Sequence, residues 1–179
     1  MNAPTHPTAG LLRAAREEPI DSTRLFRARV VFADDHPLFR DGLARAISSH
    51  LGLELVGEAS EGLGALALIG ELEPDIALLD VKMPHLDGIE VCASVARRVP
   101  PPATRVVLLS AYLDPSLVWR AAVAGAAGYL SKEASRTEIC DALVDVSLGG
   151  TAFASEAESG LVEELERIFA IEPPDTTNA

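Results

Sequence analysis

Val30-Val31-Phe32-Ala33-Asp34-Asp35-His36-Pro37-Leu38-Phe39 decides the fold. An apolar run leads straight into two acids, and a histidine and a proline then open a helical pattern. The run is too short for a buried helix, so it reads as a strand covered on both faces. Pro37 suits the first turn of a helix, where its missing N–H is no loss. Phe39, Leu43, Ala46 and Ile47 then recur at helical spacing and supply an apolar face. The same arrangement appears further along. Ile76-Ala77-Leu78-Leu79 ends in Asp80, Val106-Val107-Leu108-Leu109 ends in Ser110, and Tyr129-Leu130-Ser131 precedes Lys132.

Worked outward, the pattern predicts strands at 28–34, 53–59, 75–80, 105–110 and 127–130. Helices alternate with them: one opening at Pro37, then 61–72, 88–98, Pro115 to near Gly125, and 135–148. Asp87 is placed to cap the helix from 88, and Trp119 is expected to pack its helix onto the sheet. Pro100-Pro101-Pro102 ends the third helix. Right-handed crossovers make this an α/β fold, a doubly wound five-stranded parallel sheet with five helices. A further C-terminal helix is expected at 155–170. Leu161, Leu165, Ile168 and Phe169 form its apolar stripe, and Glu163, Glu164 and Glu166 its wet face. That stripe is a candidate dimer or docking face, with folding back onto the sheet as the equal alternative.

In an open parallel sheet the carboxyl ends of the strands share one crevice. Asp34, Asp35, Asp80, Ser110 and Lys132 should therefore converge. Carboxylates, a hydroxyl and an ammonium suit a divalent cation and a phosphoryl group. Each acid alone would more often be a helix cap or a strand-end charge, and only the joint placement is specific. His36 beside the acids is the weaker metal candidate, because hard cations prefer oxygen. His85 is expected to be solvated, and Tyr129 to be a half-buried core aromatic whatever else it does.

The bulk numbers narrow the classes. The chain has 179 residues, with 48% hydrophobic and 23% charged content, as in a globular domain. A net charge of -12 argues against a nucleic-acid surface, which needs clustered Lys and Arg. No secretory signal pattern and no apolar run long enough for a bilayer is present, so a cytoplasmic protein without membrane contact is expected. Cys92 and Cys140 lie inside helical patterns and read as small core residues rather than a disulfide or zinc pair.

The segments VVFADDHPLFRDGL (30–43), PDIALLDVKMPHLDGIE (74–90), RVVLLSAY (105–112) and AAVAGAAGYLSKEAS (121–135) carry a resemblance. Together they resemble the receiver domain of two-component response regulators, nearest the subfamily with a helix-turn-helix output. The separations from Asp80 agree: 110 − 80 = 30 to Ser110 and 132 − 80 = 52 to Lys132. The resemblance covers 28–150, a flavodoxin-like receiver fold, with 1–27 as a flexible extension and 151–179 as an acidic linker-type helix and tail. It implies that Asp80 accepts a phosphoryl group. It implies that Asp34, Asp35, Asp80 and the backbone carbonyl of Lys82 hold Mg²⁺. Ser110 would answer phosphorylation, Tyr129 would turn inward as the aromatic switch, and Lys132 would contact the phosphoryl oxygens. The implied donor is a sensor histidine kinase or a phosphotransfer protein, and a homodimer is one implied assembly.

Two departures qualify the resemblance. No proline follows Lys132, so both isomers stay open at the Lys132–Glu133 peptide; a cis bond there would cost about 3–4 kcal/mol. After Gly150 the residues are acidic and form no basic three-helix reader, so no direct DNA contact is expected from this chain. A natural stand-alone receiver is favoured, with a transcription regulator lacking its output domain, or a phosphorylation-independent scaffold, as alternatives. An enzyme is not expected. A phosphatase of a related open-sheet fold would normally carry a second acid two residues after its aspartate, where Lys82 stands.

Overall fold

The computed structural model describes residues 26–98 and 103–153. Its strands are β1 (Ala28–Ala33), β2 (Leu53–Ala59), β3 (Ile76–Asp80), β4 (Arg105–Ser110), β5 (Gly128–Ser131) and β6 (Ala152–Phe153). Its helices are α1 (Pro37–Ser49), α2 (Gly62–Leu72), α3 (Gly88–Ala96), α4 (Pro115–Val123) and α5 (Arg136–Ser147). All strand pairs are parallel, in the order β2-β1-β3-β4-β5-β6.

Successive strand residues point to opposite faces, and both faces here are covered. Val30, Phe32, Ile76, Leu78, Val107 and Leu109 meet Leu43 and Ile47 of α1 with Ile139 and Leu143 of α5. Val31, Ala33, Ala77, Leu79, Val106 and Leu108 meet Ile69 of α2, Val91 of α3 and Val118 of α4. A sheet dry on both sides has no polar alternation, which is why its central strands read as unbroken apolar runs. β1 lies between β2 and β3, so the winding reverses beside it. Ligands bind at that reversal, outside the carboxyl ends of the strands.

The helix ends are set by side chains. Asp87 and Ser135 each form a reciprocal capping box, with Glu90 and Glu138 respectively. Asp114 accepts the Ser116 N–H at 2.8 Å to open α4. α5 closes with the N–H of Gly150 on the Asp145 carbonyl and that of Gly149 on Val146, and Gly149 takes φ +98° as this motif requires.

The sequence reading placed five strands, and the sheet has six. β6 pairs Ala152 with Gly128 and Phe153 with Tyr129. Two residues are too few to show any period. Trp119 does not pack onto the sheet. Val118 and Ala121 fill that role, and Trp119 is half-buried in a groove between α3 and α4. His85 is exposed as expected but is not merely solvated, because its Nδ1 lies 2.8 Å from Glu61 Oε2. The extension up to Leu25, the proline run 100–102, the helix at 155–170 with its stripe, and the tail lie outside the described residues.

Candidate functional site

Four strand ends deliver the site. Asp34 follows β1, Asp80 closes β3, Ser110 closes β4 and Lys132 follows β5. The register holds them level. Asp80 pairs with Leu109, Ser110 pairs with Ser131, and the Lys132 N–H donates to the Ser110 carbonyl at 2.8 Å. The predicted residues are thus brought together, and Asp34, Asp80 and Ser110 are buried.

Lys132 Nζ stands 2.8 Å from Asp34 Oδ2 and 2.7 Å from Asp80 Oδ2. Its other neighbour is the Phe39 ring, 5.0 Å from Nζ to the centroid. The ammonium therefore sits between two buried carboxylates with an aromatic face beside it. Burial pushes the Asp80 pKa above the usual carboxylate range; the Asp34 charge adds to this, and the Lys132 ammonium opposes it. For Lys132 burial works against the charged form, but the hydrogen bonds and charges of Asp34 and Asp80 outweigh it and raise its pKa.

The remaining carboxylate oxygens have defined partners. Asp34 Oδ1 accepts the His36 N–H at 2.8 Å, and Asp80 Oδ1 accepts the Lys82 N–H at 3.2 Å. Asp35 is half-buried and lies 2.7 Å from His36 Nδ1. Asp34 Oδ2 and Asp80 Oδ2 are buried against the Lys132 ammonium, and Asp35 Oδ1 is buried against His36 Nδ1. One ligand atom from each of Asp34, Asp35, His36 and Asp80 falls within 4.8 Å of the others. Clustered oxygen donors with free lone pairs fit a hard divalent cation such as Mg²⁺.

Ser110 and Tyr129 form the far side. The Ser110 hydroxyl oxygen accepts the Tyr112 N–H at 3.2 Å. Tyr129 was expected to turn inward on phosphorylation; here its ring is already fully buried, and its hydroxyl donates to the Tyr112 carbonyl at 3.3 Å. Burial raises its phenol pKa, with the Ser110 hydrogen bond opposing and the Asp114 and Asp80 charges adding.

Sequence reasoning missed four supports. A Cβ on Gly88 would lie 2.2 Å from the Asp80 carbonyl oxygen, so only glycine lets α3 begin against β3. Arg40 donates to the Asp34 carbonyl at 2.7 Å. Phe39, read only as part of a helix face, lies against Lys132. Lys82 Nζ lies 5.6 Å from the Tyr112 ring centroid. The Asp-Gly pair at 87–88 could have flagged Gly88; the others have no sequence signal, because each depends on the meeting of separate loops.

Comparison with known proteins shows the family and the fold. The family model described as the response regulator receiver domain matches residues 30–144. The probable transcriptional regulatory protein NarL of Mycobacterium tuberculosis is 45% identical over 141 residues, covering 79% of this chain and 64% of that protein. The response regulator protein VraR of Staphylococcus aureus is 34% identical over 128 residues, covering 72% and 60%. The chain thus spans less than two thirds of the length of these relatives. The solved signal receiver domain of Mycobacterium tuberculosis NarL has a TM-score of 0.66 at 48% identity, over 69% of this chain and 98% of that one. A LuxR-family two-component response regulator from Aurantimonas sp. SI85-9A1 has a TM-score of 0.71 at 29% identity, over 78% and 98%.

Proposed function

The chain belongs to the response regulator receiver domain family, and on that premise we propose that Asp80 accepts a phosphoryl group from a histidine of a sensor kinase or phosphotransfer protein. Phosphorylation-dependent signalling is the general function of this family. The observation that carries the assignment to Asp80 is its place at the strand-order reversal, buried, with Lys132 Nζ 2.7 Å from Oδ2. In the transfer an Asp80 oxygen bonds to phosphorus, the phosphorus–nitrogen bond breaks, and the donor imidazole departs.

Asp34, Asp35, Asp80 and the Lys82 carbonyl would hold Mg²⁺, which when bound neutralises charge between carboxylate and phosphoryl oxygens. The chain's own residues do the rest. Lys132 offers a mobile cation to phosphoryl oxygens once it leaves Asp34 and Asp80. The Lys82 N–H orients the acceptor carboxylate. Ser110 offers a hydroxyl to the new phosphate, and its link to the Tyr112 N–H carries that change toward Tyr129. The domain at 28–150 would signal through protein contacts rather than turnover; Lys82 leaves no acid two residues after Asp80 for a catalytic phosphatase.

A second reading is the receiver portion of a transcription regulator. It is favoured by the name of NarL, a probable transcriptional regulatory protein of whose length the chain covers 64%. The first test is intact mass after acetyl phosphate and Mg²⁺, wild type beside Asp80→Asn. One added phosphoryl group, lost in the variant and with chelator, supports the proposal. No gain under conditions that label a control receiver refutes it and favours a phosphorylation-independent scaffold.

A further inference from the structure

We propose that residues 161–169 of this chain dock as a helix into the groove between α3 and α4, so that the protein's own C-terminal segment occupies that surface. The inference goes beyond the assignment of Asp80 and stands without it. The groove holds about 350 Å³. It is lined by Ile89 and Ala93 of α3, by Trp119 and Val123 of α4, and by the arginines Arg97 and Arg120. Both helices direct other residues at the sheet: Val91 and Val95 from α3, Val118 and Ala121 from α4. What remains outward is still apolar. Val123 is 69% exposed, and Trp119, the one tryptophan of the chain, is only half-buried. Among the described residues Arg97 forms no ion pair, and Arg120 reaches only Asp87, at 3.9 Å.

Charge, length and reach select the occupant. Leu161, Leu165, Ile168 and Phe169 recur at helical spacing, and at 3.6 residues per turn Glu164 and Glu166 fall on the two flanks of that stripe. Two arginines in an apolar groove are the complement of an apolar stripe edged by two glutamates. From Leu161 to Phe169 such a helix rises about 12 Å. α3 and α4 have nine residues each and offer about 13 Å of groove. Phe153 of β6 packs in the same core cluster as Val118 and Ala121, so the last described residue lies on the α4 side of the sheet. The eight residue steps from Phe153 to Leu161 reach up to about 26 Å when extended, more than the roughly 10–12 Å width of the helix to be crossed. Other occupants fit less well. Residues 1–25 carry Arg13, Arg16 and Arg24 against Glu17, Glu18 and Asp21, which leaves no net charge to meet two arginines. A second copy docked by the same groove across a two-fold axis would lay arginine against arginine.

Docked, the segment covers Trp119 and Val123 and brings its flanking glutamates to Arg97 and Arg120. Arg120 also lines the groove that reaches Asp35 and Lys82, so the docked segment and the candidate phosphoryl site share one side chain. Any partner that uses the α3–α4 groove must first displace the segment.

Because Trp119 is the only tryptophan, its fluorescence in the full chain reads the groove directly. In wild type the neutral quencher acrylamide should reach Trp119 poorly, to the same extent at high and low protein concentration. Leu165→Glu combined with Ile168→Glu breaks the stripe. Without those two buried side chains the docked-to-open ratio should fall by more than about ten-fold, and quenching should rise toward that of the urea-unfolded chain. Arg97→Glu with Arg120→Glu should raise quenching as well, and adding Glu164→Arg with Glu166→Arg should lower it again. Circular dichroism melting separates opening of the groove from loss of the fold, since the stripe variant should keep a cooperative transition; if it does not, the charge reversal and its rescue decide. Unchanged quenching in a folded stripe variant overturns the proposal and leaves the groove to another protein. A charge reversal that is not rescued overturns it too. Protection that disappears on dilution as a sedimenting dimer dissociates assigns the groove to a second copy and equally overturns it. None of these readings involves labelling of Asp80, so a failure of that assignment would show separately.

Discussion

Replacing Lys132 by methionine keeps the length of the side chain and removes the ammonium that contacts Asp34 and Asp80. The structure sets the size of the effect. The Asp34 side chain is 0% exposed, that of Asp80 is 4%, and that of Lys132 is 13%. Two unit charges about 4.8 Å apart, the outer limit for this cluster, repel by about 3.5 kcal/mol at an effective dielectric near 20. Breaking a buried ion pair costs about 3–5 kcal/mol, and the two figures describe the same loss rather than adding. We therefore expect Lys132→Met to lower unfolding free energy by about 3 kcal/mol at pH 8. The pH dependence follows from Asp80. Its pKa is raised by burial even with the ammonium present, and without Lys132 it must rise further. An acid whose folded pKa lies above its unfolded value binds protons more tightly when folded. The variant therefore regains stability as pH falls through the folded pKa toward the unfolded value of 3.8. Urea titrations at pH 8 and pH 5.5, analysed for a constant slope, read both effects. A deficit below about 1 kcal/mol at pH 8 would refute the reasoning, as would a deficit that stays constant or grows on acidification.

Four other outcomes are expected. Gly88→Ala places a Cβ 2.2 Å from the Asp80 carbonyl and should cost about 1–3 kcal/mol or more in thermal unfolding. Gly64→Ala meets Ala59 Cβ at 3.4 Å and Glu61 Cγ at 3.7 Å, ordinary contacts, and should instead stabilise α2 by about 0.5–1 kcal/mol, which makes it the paired control. Burial pushes the Cys92 thiol up to about 11, so at pH 8 about one molecule in a thousand carries the thiolate, and iodoacetamide should modify Cys92 only after unfolding in urea. Ser135→Ala breaks the capping box of α5 and should cost about 0.5–2 kcal/mol, read by circular dichroism during denaturation.

The architecture was legible wherever a single element carried its own signal. The apolar runs of β1, β3 and β4 announced strands covered on both faces, and Asp87 announced the start of α3. Convergence of Asp34, Asp80 and Lys132 followed from topology alone, since parallel strands must end on the same side. The signal ran out where two distant segments meet. β6 exists because α5 ends in a glycine turn that returns the chain to β5, and two residues cannot display alternation. Trp119 looked like a core residue by its size, but Val118 and Ala121 occupy the inward positions of α4. Gly88 was read as the opening of a helix, and its necessity appears only when the Asp80 carbonyl is seen against it. The Tyr129 ring is buried in the core with its hydroxyl on the Tyr112 carbonyl, which belongs to another loop.

The sheet ends in two different ways, and the difference bears on self-association. An open strand edge offers unpaired N–H and C=O groups as a template for a foreign strand. At the β5 side the chain covers part of its own template with Ala152 and Phe153. At the opposite side β2 is the outermost strand among the described residues, and there Glu54 and Glu58 are exposed. One margin is shut by polypeptide and the other is defended by charge. Neutralising the two glutamates would leave Leu55 and Val56 on an uncharged border, and aggregation of this protein should start from that border.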